Sequence, residues 1–127
     1  MRAKIVEIRE NGILHVVGFK VGTQILYMMS LELNSVKIGS FVELSIKPLS
    51  IALAKEGCEK TSFVNELTSV VTEIKEDELL SSVIVEFEGN LLESVLLKES
   101  IKKLELEKGQ EVKLLIKAND ISIKRVL

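Results

Sequence analysis

Tryptophan is absent, cysteine and proline occur once each, and the aromatics amount to four Phe and one Tyr. A lone Cys58 rules out an internal disulfide framework. With no Cys or His partner close by, it suggests neither a structural metal site nor a catalytic dyad. So few aromatics make a poor stacking platform for nucleobases. A surplus of positive charge is missing as well: the formal charge is −2, and a phosphate backbone needs an excess of Lys and Arg. Nucleic acid is therefore disfavoured as a partner of this chain alone. No apolar run is long enough to cross a bilayer, and no charged, apolar leader follows Met1, so a cytoplasmic protein without membrane insertion is expected. No pair of side chains reads as nucleophile and base, or as acid and base, and an enzyme is not expected.

What the chain does have is an internal repeat. Glu7, Ile8, Glu10, Leu14, Val17 and Leu26 recur 66 positions later as Glu73, Ile74, Glu76, Leu80, Val83 and Leu92. Further on the spacing becomes 70: Ser30, Gly39, Val42, Leu44, Ile46, Lys47 and Ile51 recur as Ser100, Gly109, Val112, Leu114, Ile116, Lys117 and Ile121. The second copy thus carries four extra residues between Leu92 and Ser100. A period this long is one small folded unit used twice. The expected units are residues 1–54 and 62–127, joined by a polar linker over 55–61. Units of about 60 residues are marginal alone, and 46% apolar residues exceed what two such units can hide. A shared core and a homo-oligomer, dimer or trimer, are expected.

Nearly every segment reads as strand. Residues 3–8 and 13–21 flank Asn11-Gly12, a tight hairpin turn. Residues 69–74 and 79–87 repeat the pattern, and 42–47 and 112–117 alternate apolar and polar residues as half-buried strands do. Short strands at regular spacing point to an all-β chain of two small barrels. The stretch from Lys98 to Leu104 breaks the rhythm with strong helix formers, Ser100 being placed to cap a helical turn. The same spacing from Ser30 to Gly39 predicts a turn of helix in the first copy. Pro48 marks a strand end. Met28-Met29 reads as core filling and His15 as structural.

Asn65-Glu66-Leu67, Lys98-Glu99-Ser100, Leu104-Glu105-Leu106 before Gly109, and Ile116-Lys117-Ala118 occur in that order, and together they resemble the molybdate-binding Mop, or TOBE, domain. The resemblance covers residues 62–123 directly and the first half through the repeat. It implies two tandem OB-like five-stranded barrels, each with a short helical turn, that hold molybdate or tungstate without a further cofactor or metal, as molbindins do in storage, buffering or sensing. Tandem pairs of this kind also belong to ModE-type regulators and follow the ATPase of molybdate transporters, so an oligomerisation or regulatory module with a transporter association is the alternative.

Carried over position by position, the resemblance implies oxyanion contacts from Ser62, Asn65, Ser100, Lys117 and Ala118, with Ser30 and Lys47 as first-copy counterparts. The chain departs from the family at Val64, where the pattern has Arg, and at Leu97, where it has Thr. A tetrahedral dianion is held by backbone N–H groups, hydroxyls and one or two cations, which is what these residue types supply. Without the resemblance, Ser100 reads as a helix cap, and Lys47 and Lys117 read as solvated guards of strand ends.

Overall fold

Residues 1–33, 35–55 and 60–127 are described by a computed structural model. The expected linker and Cys58 fall largely outside them. The strands are β1 (Arg2–Asn11), β2 (Leu14–Val21), β3 (Gln24–Ser30), β4 (Phe41–Ile46), β5 (Ala52–Ala54), β6 (Asn65–Glu76), β7 (Leu80–Phe87), β8 (Asn90–Leu97), β9 (Glu111–Ile116) and β10 (Ile121–Val126). A helix, α1 (Lys98–Leu104), follows β8, and short 3-10 turns at Pro48–Ser50 and Ala118–Asp120 precede β5 and β10. Pro48 therefore sits just past a strand end, where its missing N–H breaks no ladder.

Alternation makes the strands. In β1, Ala3 and Ile5 are buried while Arg2 and Lys4 are exposed, the period-2 pattern of a strand with one wet face. The same rule divides Met28 from Met29. Met28 fills the core, but Met29 is exposed, because neighbours along a strand point to opposite faces. Gly12 (φ 64°) and Gly22 (φ 59°) open the two-residue loops of the first repeat in the left-handed region, which glycine enters without a Cβ clash.

The repeat extends to individual hydrogen bonds. Ile5 N–H donates to Ser40 O and Gly39 N–H to Ile5 O; Val71 N–H donates to Gln110 O and Gly109 N–H to Val71 O, all within 2.7–2.9 Å. Both first strands carry a bulge at the same place, between Ile5 and Glu7 and between Val71 and Glu73. The sheets have matching strand orders, β10-β4-β1-β2-β3 and β5-β9-β6-β7-β8. Each sheet takes its last strand from the other repeat. Thus Ala52, Leu53 and Ala54 pair with Leu115, Leu114 and Lys113, and Ile121 and Ser122 pair with Ile46 and Ser45. The two five-stranded sheets agree with the OB-like expectation, but neither consists of one repeat alone. A single apolar core joins them, from Ile5, Phe19 and Val42 to Val71, Phe87 and Leu114.

Polar side chains tie the same seam. Asn65 is fully buried. Its Oδ1 accepts from Tyr27 N–H at 2.7 Å, and its Nδ2 donates to Tyr27 O at 2.9 Å and Ile116 O at 3.1 Å. Gln24 reciprocates from β3: Thr68 N–H donates to its Oε1 at 2.9 Å, and its Nε2 donates to Thr68 O at 3.0 Å. Each amide stands in for a missing stretch of backbone ladder between β3 and β6. Beside them, the Glu88 carboxylate accepts from Thr23 Oγ1 at 2.7 Å and Gln24 Nε2 at 3.1 Å. A Cβ on Gly22 would come within 2.2 Å of that carboxylate, so glycine serves this turn twice.

The helical expectation holds in one copy only. Lys98–Leu104 is helical, but its N-cap position is Leu97, without a side-chain cap, and Ser100 lies inside the first turn. In the first copy the described residues from Leu31 to Val36 form no helix. There Ser30 Oγ donates to Glu32 O at 2.5 Å and accepts from Glu32 N–H at 3.1 Å. That local bond competes with a helical turn, and no Lys-Glu-Ser-Ile-Lys-Lys run is present to overcome it.

Two outcomes follow from the seam. Asn65→Ala leaves one donor and two acceptors buried without partners and should destabilise the fold by about 2–4 kcal/mol; a urea midpoint equal to wild type would show that the amide bridge is dispensable. The second outcome concerns pH. Hydrogen bonds from Thr23 and then Gln24 hold the Glu88 carboxyl below its ordinary pKa. A lowered folded-state value contributes stability above the unfolded pKa, which is lost as pH falls through the ordinary carboxylate range towards the folded value. Thermal melts of Glu88→Gln over that range should therefore decline less steeply with acid than those of wild type.

Candidate functional site

Lys47 and Lys117 end their strands in the same way. Each is extended (φ −70°, ψ 137° and φ −68°, ψ 143°) and each leads into a 3-10 turn. Their carbonyls accept from the N–H groups of Ser50 and Asp120, both at 2.9 Å. Both lysines are exposed. Because β4 and β10 are antiparallel neighbours, the two turns meet at the middle of the molecule: Lys47, Ser50, Asn119 and Asp120 line one cleft of ≈ 240 Å3 with Ser45 and Ser122. The turns differ in one donor. Ala118 has a backbone N–H, whereas Pro48 at the matching position has none.

Contacts at these turns run across the repeats. The Ala118–Asp120 turn packs on β3, whose last residue is Ser30, and the Pro48–Ser50 turn packs on β8, which leads to Ser100. Ser30 and Asn119 line a second cleft, of ≈ 280 Å3, with Ser122, Met29 and Glu32 among its other walls. The strand exchange sets the Lys117 turn against the strand that ends in Ser30, and the Lys47 turn against the strand leading to Ser100.

Asn65 belongs to this end of the molecule, paired across strands with Ile116, one residue before Lys117. Both hydrogens of its amide are taken by backbone carbonyls, so no N–H remains for an anion. Its effect on the site is to hold β6, β9 and β3 together. Ser62 is exposed upstream of β6, and Ala118 and Ser100 are half-buried. Val64 and Leu97, the two departures from the family pattern, are both exposed. Asn119, Ser50 and Ser122 were not legible as site residues. Asn119 follows Ile-Lys-Ala directly, but its first-copy counterpart is Leu49, so the repeat gave no signal there. Electrostatically the clefts are mixed: Lys47 is the cation among their lining residues, and Glu32 and Asp120 are the carboxylates. Among the described residues, no group of His, Cys, Asp and Glu could hold a metal ion. No described helix is long and apolar enough to cross a membrane.

A search of curated proteins finds no sequence match. Solved structures do match. One is the cytoplasmic molybdate-binding protein ModG, crystallised with molybdate bound; it superposes with a TM-score of 0.86 at 21% identity, over 96% of this chain and 92% of that one. A molybdate-binding protein from Sporomusa ovata is 28% identical over 47% of this chain and 90% of its own, with a TM-score of 0.46. The ModG likeness matches two OB-like units to the two sheets described above. Residues 61–123, which contain the amide bridge of Asn65, α1 and the Lys117 turn, match the family model of the TOBE domain, and this segment of the chain belongs to that family.

Proposed function

We propose that this chain binds a tetrahedral oxyanion, molybdate or tungstate, without catalysis, as a cytoplasmic storage, buffering or sensing protein. The observation that carries the reading is the TOBE match over residues 61–123, which contain the turn opened by Lys117 and Ala118. There an exposed ammonium and a backbone N–H open a turn that packs on the strand ending in Ser30, whose hydroxyl has to release Glu32 O before it can donate to an anion. Charge-assisted donors of this kind favour a small dianion over water. The Lys47 turn lacks the proline N–H and is the weaker of the two. Ser100 contributes a hydroxyl, and Ser62 contributes one from a neighbouring copy. That ModG is described as a cytoplasmic molybdate-binding protein supports both the ligand and the location.

The reading includes a homo-oligomer. Leu31, Leu49, Val64 and Leu97 are all exposed, and they sit beside Ser30, Lys47, Asn65 and α1. Apolar side chains at those places are covered most economically by other copies of the chain, which also brings site residues of different copies together. The same Val64 and Leu97 favour a second reading, an oligomerisation or regulatory module of a molybdate transporter or regulator whose anion site has lost one cation and one hydroxyl.

Calorimetry with molybdate, tungstate, sulfate and phosphate separates the two. Lys117→Ala should weaken oxyanion binding by about tenfold or more, the loss of one charge-assisted contact of roughly 1.5–3 kcal/mol. Val64→Arg should tighten it by restoring a cation. If wild type gives no heat with molybdate or tungstate and Val64→Arg gains none, the module reading is the correct one.

A further inference from the structure

The two sheets present equivalent outer rows of opposite charge. Across the first sheet, Phe41, Lys4, Lys20 and Ile25 are direct neighbours on β4, β1, β2 and β3. At the matching positions of the second sheet stand Glu111, Val70, Glu86 and Leu91, on β9, β6, β7 and β8. All eight side chains are exposed. The first row is basic, and Arg2 adds to it, with its guanidinium 4.5 Å from the centre of the Phe41 ring and the Lys4 ammonium at 5.9 Å. The second row is acidic. Each row has two charged and two apolar members, and the strand spacing that sets their pitch is common to both sheets.

Neither row is satisfied within the chain. Lys4 and Lys20 lie directly opposite each other on adjacent strands, a like-charge pairing that destabilises a sheet. Among the described residues, none of Lys4, Lys20, Glu86 and Glu111 takes part in an ion pair. Beside these charges, Leu91 is 69% exposed and Phe41 40%. Opposite charges on rows of equal pitch, with large apolar groups between them, have the character of two halves of one interface.

We propose that the basic outer face of the first sheet docks on the acidic outer face of the second sheet of another copy of this chain. The inference rests on the homo-oligomer reading and adds a contact between sheet faces, distinct from the apolar residues Leu31, Leu49, Val64 and Leu97, none of which lies in either row. The contact is heterologous, since the two faces differ, so each docked copy still offers one free face, and the rotation between copies decides between a closed ring and an open filament. Charge decides the polarity: basic on basic and acidic on acidic are both repelled, and head-to-tail packing alone pairs opposite signs.

Charge reversal on the full-length chain tests this, with light scattering and sedimentation as readouts and circular dichroism to follow the fold. Lys4→Glu with Lys20→Glu, and separately Glu86→Lys with Glu111→Lys, should each lower the association constant by at least about tenfold, like charges then facing each other. Mixing the two variants should restore association, and so should all four substitutions in one chain, because opposite faces are present again. Should a reversal fail to fold, the neutral Lys4→Gln with Lys20→Gln variant should still weaken association. High salt should weaken the wild-type assembly. A wild-type oligomer that survives every reversal, or a folded four-fold variant that stays dissociated, would overturn the face assignment and leave the homo-oligomer standing. A monomeric wild type would overturn both.

Discussion

β5 pairs with β9 and β10 with β4, so each sheet is completed by a strand that the other repeat supplies. The rest of the structure depends on this exchange. It makes one apolar core out of two units too small to be secure alone, and it brings the two 3-10 turns to the middle of the molecule. The exchange also leaves a gap between β3 and β6, where no backbone ladder runs. Asn65 and Gln24 fill that gap from opposite sides, each using a side-chain amide to satisfy the backbone of the other repeat. A buried amide with every donor and acceptor engaged defines one arrangement, because any slip strands polar groups in the core.

The candidate site inherits its composite character from that seam. Lys117 and Ala118 come from the second repeat, and Ser30, which faces their turn, comes from the first. Asn65 takes part as a brace, since its hydrogens are already bonded. The duplicated site is also unequal. Pro48 removes from the Lys47 turn the N–H that Ala118 offers at the other, so one ancestral unit used twice has come to offer two different environments.

Divergence on the outer faces follows the same logic. Core positions recur almost unchanged between the repeats, as at Val42 and Val112 or Leu44 and Leu114, because both pack into the same interior. Solvent-facing positions carry no such constraint, and there Lys20 is matched by Glu86 and Phe41 by Glu111. A pseudo-symmetric body with opposite charges on its equivalent faces can distinguish head from tail, which two identical faces cannot do.

Much of this was already legible in the residues. The two-register repeat, the period-2 alternation in β1, β4 and β9, the hairpin at Asn11-Gly12 and the turn positions at Gly39 and Gly109 are local patterns, and local patterns determine strands and turns. The Ile-Lys-Ala and Lys-Glu-Ser motifs pointed to the family for the same reason: they are contiguous in sequence. What the sequence could not decide was partnership over long separations. Three apolar residues at Ala52–Ala54 carry no alternation to specify a strand or the sheet that receives it, and nothing near Asn65 announces Tyr27 as its partner. Ser30 bonding Glu32 in place of a helical turn, and Ser100 inside a helix instead of at its cap, were settled by competition between local bonds of similar strength. The approach of the Ala118–Asp120 turn to the strand ending in Ser30 followed from the strand exchange, a choice made by the whole chain because the crossed arrangement completes both sheets and buries the shared core.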